Sequence, residues 1–320
     1  MIERIEHYSA RVGDELAGRR VDQALPLLFP DFSRTRLQHW VKEGWVTLDG
    51  KTVSRPRDKL AGGELVELEA HLEDQVACRP EPIALDIVYQ DEALIVIDKR
   101  PGLVVHPAVG NRDGTLQNAL LHLDPDLIQL PRAGIVHRLD KETSGLLVVA
   151  RTPAAYKSLV EQLQAREIKR EYRALAMGVM TAGGRVEQPI GRHPVHRTRM
   201  AVVVSGKPAV THYRILQRFP AHTWLRVNLE TGRTHQIRVH MAHIRHPLVG
   251  DPVYGGRLRL PPGIGDDLKQ ALRRFRRQAL HARRLGLVHP LTGEWIEWEA
   301  PLPEDIESLL TRLREDRTGG

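Results

Sequence analysis

His137-Arg138-Leu139-Asp140-Lys141-Glu142-Thr143-Ser144-Gly145 lies between two apolar runs, Ile135-Val136 and Leu146-Leu147-Val148-Val149-Ala150. Each run has the composition of a buried strand. A connector between strands ordinarily draws on Gly, Asn, Asp or Pro for its turn. This one instead gathers an imidazole, a guanidinium, a carboxylate, an ammonium and two hydroxyls. A polar loop gripped by rigid strands suits catalysis, although a solvated connector has the same composition.

Outward from that loop, Ile87-Val88-Tyr89 and Leu94-Ile95-Val96-Ile97 form strands around Gln90-Asp91-Glu92. Thr152 and Pro153 start a helix whose inner stripe is Tyr156, Leu159, Val160 and Leu163. Segments 170–177, 201–205, 210–216, 223–229 and 234–240 are expected as strands. Such a series of hairpins with few helices predicts an α+β domain with a mixed sheet, not the regular alternation of a dinucleotide-binding fold. Toward the N-terminus, Val21, Ala24, Leu25 and Leu28 follow a helical period. Pro30 breaks the chain, and Ser33 caps a second helix carrying Leu37, Trp40 and Val41 that ends at Gly44. Asp49-Gly50 then joins a hairpin, and Leu65-Val66-Glu67-Leu68 adds a strand. The predicted organisation is a small domain over residues 1–72, a proline-bearing linker over 73–82 and a larger domain over 83–320.

The chain has 320 residues and a formal net charge of +7, which favours a polyanionic partner. Between Gly255 and Leu285, Arg257, Arg259, Lys269, Arg273, Arg274, Arg276, Arg277, Arg283 and Arg284 face only Asp266 and Asp267. Leu268, Leu272, Phe275 and Ala279 recur at helical spacing there, so the arginines should cover the opposite, phosphate-facing side. One cysteine, Cys78, excludes a disulfide and a cysteine-based zinc site. His235, His240, His243 and His246 are close in sequence, but on a strand His235 and His240 point to opposite faces, so no metal site is expected. The charged start Met1-Ile2-Glu3-Arg4 carries no signal core, and no apolar run approaches a membrane span. A cytoplasmic protein is expected.

The nonapeptide resembles the catalytic motif of the RluA-type pseudouridine synthases, His-Arg-Leu-Asp-x-x-Thr-Ser-Gly. Lys99-Arg100-Pro101-Gly102-Leu103-Val104-Val105-His106-Pro107, Arg170-Glu171-Tyr172-Arg173-Ala174 and Thr231-Gly232-Arg233-Thr234-His235-Gln236-Ile237-Arg238-Val239-His240 resemble three further motifs of that family. Leu280-His281-Ala282 and His289-Pro290 resemble its closing strands, so the likeness runs from Arg19 to Pro303. Arg100 and Arg170 depart from the pattern, each keeping a positive charge. The resemblance implies a catalytic domain with a mixed, largely antiparallel central sheet, and an RNA isomerase that needs no cofactor and acts as a monomer. It implies that Asp140 is the catalytic carboxylate, attacking the anomeric carbon or removing the adjacent sugar proton, with both routes open. It further implies that Arg233 pairs with Asp140, that Tyr172 stacks on the target base and that Arg138 props the space left by a flipped uridine. Ile237 and Val239 are expected to wall the pocket against water.

The small N-terminal domain resembles the alpha-L RNA-binding module of ribosomal small-subunit protein four. Arg34, Arg36 and Lys42 on its helix, and Arg55, Arg57 and Lys59 after its hairpin, are the expected contacts. Within the family, His193-Pro194, Gly206–Tyr213 and His246–Gly256 resemble the branch that modifies clustered uridines in helix 69 of 23S rRNA, in the large ribosomal subunit or its precursor. Other rRNA sites or tRNA are the runner-up target. Two readings compete with this one: a glycosidase using Asp140 and Glu142 as its carboxyl pair, and a non-catalytic ribosome-assembly factor.

Overall fold

The computed structural model describes residues 3–32, 34–53, 55–73, 78–107, 110–196, 198–258 and 260–318. The chain divides into two compact units, Met1–Ala77 and Cys78–Gly320. In the first, β1 (Glu3–Arg11) precedes α1 (Val21–Leu28), α2 (Arg34–Glu43), β2 (Val46–Leu48), β3 (Lys51–Thr52) and β4 (Leu65–Glu73). The strands pair in the order β1-β4-β2-β3. Both helices lay their predicted apolar residues, Val21, Ala24, Leu25, Leu37, Trp40 and Val41, against Val46, Val66 and Leu68 of the sheet. Asp49 and Gly50 both adopt positive φ, 47° and 75°, as the tight hairpin turn requires. The cap expected at Ser33 lies outside the described residues. β1 has no apolar signature. It becomes a strand by pairing along its whole length with β4, from Glu3↔Glu73 to Arg11↔Leu65.

The second unit contains β5 (Ile87–Gln90), β6 (Leu94–Lys99), α3 (Leu116–Leu123), β7 (Ser144–Ala150), α4 (Pro153–Ala165), β8 (Lys169–Met177), β9 (Gly184–Glu187), β10 (Ile190–Arg192) and β11 (Met200–Val202). There follow β12 (Val210–Arg218), β13 (His222–Leu229), α5 (Gln236–His243), α6 (Asp266–Arg274), β14 (Leu280–Val288), β15 (Trp295–Glu299) and α7 (Glu304–Thr318). A nine-stranded sheet runs β5-β6-β7-β14-β8-β13-β12-β9, with β15 beside β14. Its β7–β14 pair is parallel and its other neighbours are antiparallel, which makes the fold the mixed, largely antiparallel α+β type expected.

β7 is buried at all seven positions because the sheet is covered on both faces there. Leu147 and Val149 pack with Leu116 and Leu120 of α3, while Leu146, Val148 and Ala150 pack with Ala155 and Leu159 of α4. A strand covered on both sides shows a continuous apolar run. Gly145 adopts φ +112°, and a Cβ there would stand 2.3 Å from the carbonyl oxygen of Ala282. Only glycine lets β14 approach β7 so closely.

Four expectations change. Ile135 makes only an isolated bridge with Val149, so one strand, not two, frames the polar loop. Of the expected strand 201–205 only Ala201 and Val202 belong to β11, which pairs with β10 in a separate two-stranded sheet. Segment 234–240 is not a strand: from Gln236 onward it is helix α5. Gln236, Ile237, Arg238, Val239, His240 and Met241 are all buried, so polar–apolar alternation marks no face there. The linker is also shorter than predicted, because Arg79 O accepts from Asn118 Nδ2 at 2.9 Å and Glu81 Oε1 accepts from Gly114 N at 2.9 Å. Residues 78–82 are therefore part of the second unit, and 74–77 lie outside the described residues.

Candidate active site

Asp140 occupies the loop that delivers the chain into β7. Leu139 beside it is a core residue, and the amide of Thr143 donates to Asp140 O at 3.0 Å, closing a turn. Two other segments, 99–102 and 277–278, hold that turn. Lys141 O accepts from Gly102 N at 2.9 Å and from Lys99 Nζ at 3.0 Å. Glu142 O accepts from Arg277 Nη1 at 3.1 Å, and Thr143 Oγ1 accepts from Gln278 Nε2 at 3.0 Å. The position of Asp140 is thus fixed mainly through the loop backbone.

Lys99 is 1 % exposed, and its ammonium donates to the carbonyls of Arg100, Leu103 and Lys141 at 2.8, 3.0 and 3.0 Å. Burial pulls its pKa from 10.5 down to about 7, against the attraction of Glu142 and Asp140. The unfolded chain therefore holds this proton more tightly than the folded one between those values. Unfolding takes up a proton in that window, so the contribution of Lys99 to stability rises with pH from about 7 toward 10.5. Urea titrations at pH 6.5 and 9 should show wild type gaining stability relative to Lys99→Met at the higher pH. A difference independent of pH would show that burial does not control this amine.

The counter-charge of Asp140 is Arg238, which corrects the expectation placed on Arg233. Arg238 Nη1 donates to Asp140 Oδ2 at 2.9 Å, while its Nε and Nη2 donate to Asp251 at 2.7 and 2.9 Å. Asp251 has a side chain with no exposed surface and also accepts from the amides of Val253 and Tyr254. Burial opposes the charge of Arg238, but Asp251 and Asp140 together raise its pKa above the ordinary value. Arg233 instead donates through Nε to Pro208 O at 3.1 Å from an exposed position on the rim. The reason is the helix: α5 turns Arg238 inward, whereas Arg233 precedes it in the turn 231–235. His235, at φ 56° before α5, places Nε2 3.9 Å from Asp140 Oδ1, with its Nδ1 2.8 Å from the Tyr254 hydroxyl. Burial lowers the pKa of His235 although Asp140 works to raise it.

Asp140, Arg233, His235 and Arg238 line a cleft of about 600 Å³. Tyr172, 6 % exposed on β8, reaches it alongside Asp140 and Ile237. Burial raises the pKa of the tyrosine hydroxyl; the charge of Arg170 opposes this, and that of Asp140 adds a smaller push upward. Arg132, Arg138, Arg166, Arg170 and Arg233 bring five guanidiniums to the same cleft, a lining suited to phosphates. Arg138 is exposed there. Val239 is corrected: it packs with Ile190 and Ala209, away from the cleft. Residues two apart share a face on a strand but lie roughly 200° apart on a helix. His137 is structural, since its Nε2 accepts from Val148 N at 3.2 Å and burial lowers its pKa to about 3.

The basic segment also needs correction. Arg273, Arg274 and Arg276 are exposed. Arg277 is 7 % exposed and grips Asp305 with two hydrogen bonds of 2.6 and 2.7 Å, so it supports the Asp140 loop and does not face RNA. Phe275 ends α6, and Ala279 lies beyond it. Lys269, Arg283 and Arg284 pair with Asp266 and Glu299, which reduces the local charge excess. In the first unit, Arg34 donates to buried Asp22 at 3.1 Å, the Arg36 guanidinium lies 5.9 Å from the Trp40 ring centre, and Lys42 is exposed. His240 and His246 bond to Thr211, Gln188 O and Met177 O, and among the described residues no His, Cys, Asp and Glu group could hold a metal.

A carboxylate paired with a guanidinium, in an arginine-lined cleft that a tyrosine shares, fits an enzyme that works on a nucleotide of a polyanion. Residues 93–243 match the RNA pseudouridylate synthase family. The chain belongs to that family and is an isomerase. It is 57 % identical over 308 residues to ribosomal large subunit pseudouridine synthase D of Yersinia pestis, covering 96 % of this chain and 95 % of that one. It is 59 % identical over 309 residues to the protein of the same name from Pseudomonas aeruginosa, covering 97 % and 96 %. Among solved structures it resembles human RNA pseudouridylate synthase domain containing 4, with a TM-score of 0.56, 27 % identity and coverage of 72 % and 93 %.

Proposed function

We propose that the protein isomerises uridines to pseudouridine in 23S rRNA of the large ribosomal subunit or its precursor, at the clustered uridines of the helix 69 stem-loop. The observation that carries the chemistry is the Asp140–Arg238 ion pair at 2.9 Å in a cleft shared with Tyr172. The target rests on relatives named for the large subunit whose likeness extends through both units. The reaction breaks the bond from the ribose anomeric carbon to the uracil N1 and forms one to C5. C5 loses its proton and N1 gains one, so atoms balance within the nucleotide. Arg238 holds Asp140 Oδ2; among the described residues no hydrogen bond reaches Oδ1, which leaves that oxygen for the sugar. The guanidinium fixes the carboxylate in place by a charge-assisted hydrogen bond.

Tyr172 supplies a ring for the target base, and Arg138 occupies the space from which that base has turned. A loop uridine costs less to extrude than one in a duplex. The first unit grips the stem through Arg36 and Lys42, and the exposed Arg273, Arg274 and Arg276 add phosphate contacts. The site of action is the cytoplasm, a reading supported by the relatives named for the large ribosomal subunit.

Pseudouridine mapping in rRNA from cells lacking the protein should show loss at clustered loop uridines of helix 69, and the purified protein should restore them. Modification confined to tRNA, or to one isolated rRNA position, would overturn the target. The role of Tyr172 is tested within the same assay. Tyr172→Phe should bind the reacting RNA within a few-fold of wild type, while Tyr172→Ala should lose about tenfold, as one stacked base is worth ~1–3 kcal/mol. Equal losses would assign the effect to the hydroxyl.

A further inference from the structure

Arg170 is the unusual cation of the cleft. It stands on β8 two residues before Tyr172, so both side chains leave the strand on the same face. It is 9 % exposed, yet it lines the cleft. Its Nε is buried without a hydrogen-bond partner, and among the described residues no hydrogen bond or ion pair reaches its guanidinium. Its neighbours are already committed: Arg166 bonds to Glu230, Arg233 to Pro208 O and Arg238 to two aspartates. A Cβ on Gly232 would stand 2.7 Å from Arg170 Nη1, so the motif's glycine leaves the room that this guanidinium fills.

A buried charge without a partner is strongly unfavourable, and natural proteins place one where something else completes it. The five N–H groups of a guanidinium match an anionic, two-oxygen acceptor. A uracil carbonyl would offer one neutral oxygen and leave the charge uncompensated. We infer that Arg170 is an internal phosphate receptor, taking the non-bridging oxygens of one phosphodiester of the RNA strand whose uridine lies over Tyr172. This rests on the RNA isomerase reading above. The phosphate contact fixes the register of the strand, so that the sugar of the selected nucleotide meets Asp140 Oδ1.

The test uses the full chain, helix 69 stem-loop RNA, and the variants Arg170→Met and Arg170→Lys. Arg170→Met should melt at or above the wild-type temperature, because it removes an unpartnered buried charge. Its KM should rise about 10- to 100-fold, as expected for a lost charge-assisted hydrogen bond, with Arg170→Lys between. The slope of log affinity against log salt should fall by about one unit. RNAs carrying a single neutral methylphosphonate, moved along the loop, should reveal one position that weakens wild type and has no added effect on Arg170→Met. A clear drop in melting temperature with unchanged KM would make Arg170 structural, and the absence of any such coupled phosphate would overturn the receptor. Wild type that isomerises the RNA while showing no coupled phosphate removes only this inference; wild type inactive on every RNA removes the functional reading itself.

Discussion

Asp140→Asn is expected to lose at least about 10⁴-fold in single-turnover rate, since the proposed reaction relies on this carboxylate to attack the sugar or take its proton. The fold should survive. Asparagine keeps an oxygen that can accept from Arg238 Nη1, and the guanidinium retains both bonds to Asp251. The loop backbone is held by Gly102, Lys99 and Arg277 through main-chain carbonyls, which the substitution leaves in place. Affinity for stem-loop RNA should therefore remain within a few-fold of wild type. The measurement is pseudouridine formation at enzyme excess, beside filter binding and a thermal melt. Appreciable turnover by an Asn variant free of wild-type protein would remove Asp140 from the chemistry.

The second large effect belongs to Arg238, and it separates two arginines that the sequence motif leaves side by side. Arg238→Met strips the partner from Asp251, a carboxylate with no exposed side-chain surface. Breaking a buried pair in this way costs about 3–5 kcal/mol, so loss of activity could reflect loss of the fold. Arg238→Lys keeps a positive charge but cannot span both aspartates with a planar fork. It should fold, with a modest fall in urea midpoint, and lose on the order of 10²–10³ in rate as Asp140 loses its fixed donor. Arg233→Met should leave the urea midpoint unchanged and raise KM with less than a tenfold effect on kcat, because its side chain contacts Pro208 O on an exposed rim. If Arg233→Met lost as much kcat as Arg238→Lys, the ion pair would not be what holds the carboxylate ready.

Much of the architecture was legible in the chain itself. β6 and β7 are apolar at consecutive positions because both faces of the sheet are covered, and Asp49-Gly50 announces its hairpin because both residues tolerate positive φ. Thr152 and Pro153 start α4 as written. Asp140 and Tyr172, which both line the cleft, were singled out by their likeness to the family's motifs. The strand β1 and the partner of Asp140 were not. β1 depends on pairing with β4, fifty or more residues away.

Segment 234–240 shows the boundary most clearly. Its alternation of Gln236, Ile237, Arg238, Val239 and His240 has the period of a strand, yet all five residues are buried in a helix, where burial on every side erases the amphipathic signal. Taken as a strand, it sets Ile237 and Val239 on one wall and leaves Arg238 facing away. As a helix it turns Arg238 toward Asp140 and sends Val239 into a separate apolar cluster. The same limit governs the arginines of 273–277, alike in sequence, of which Arg277 alone is buried, against Asp305. Sequence determined the kinds of chemical group near Asp140 and most of the strands around it, because those follow from residue type and local period. Tertiary structure decided which guanidinium meets which carboxylate, because a charge takes its partner from whatever the fold brings within about 3 Å, however distant in the chain.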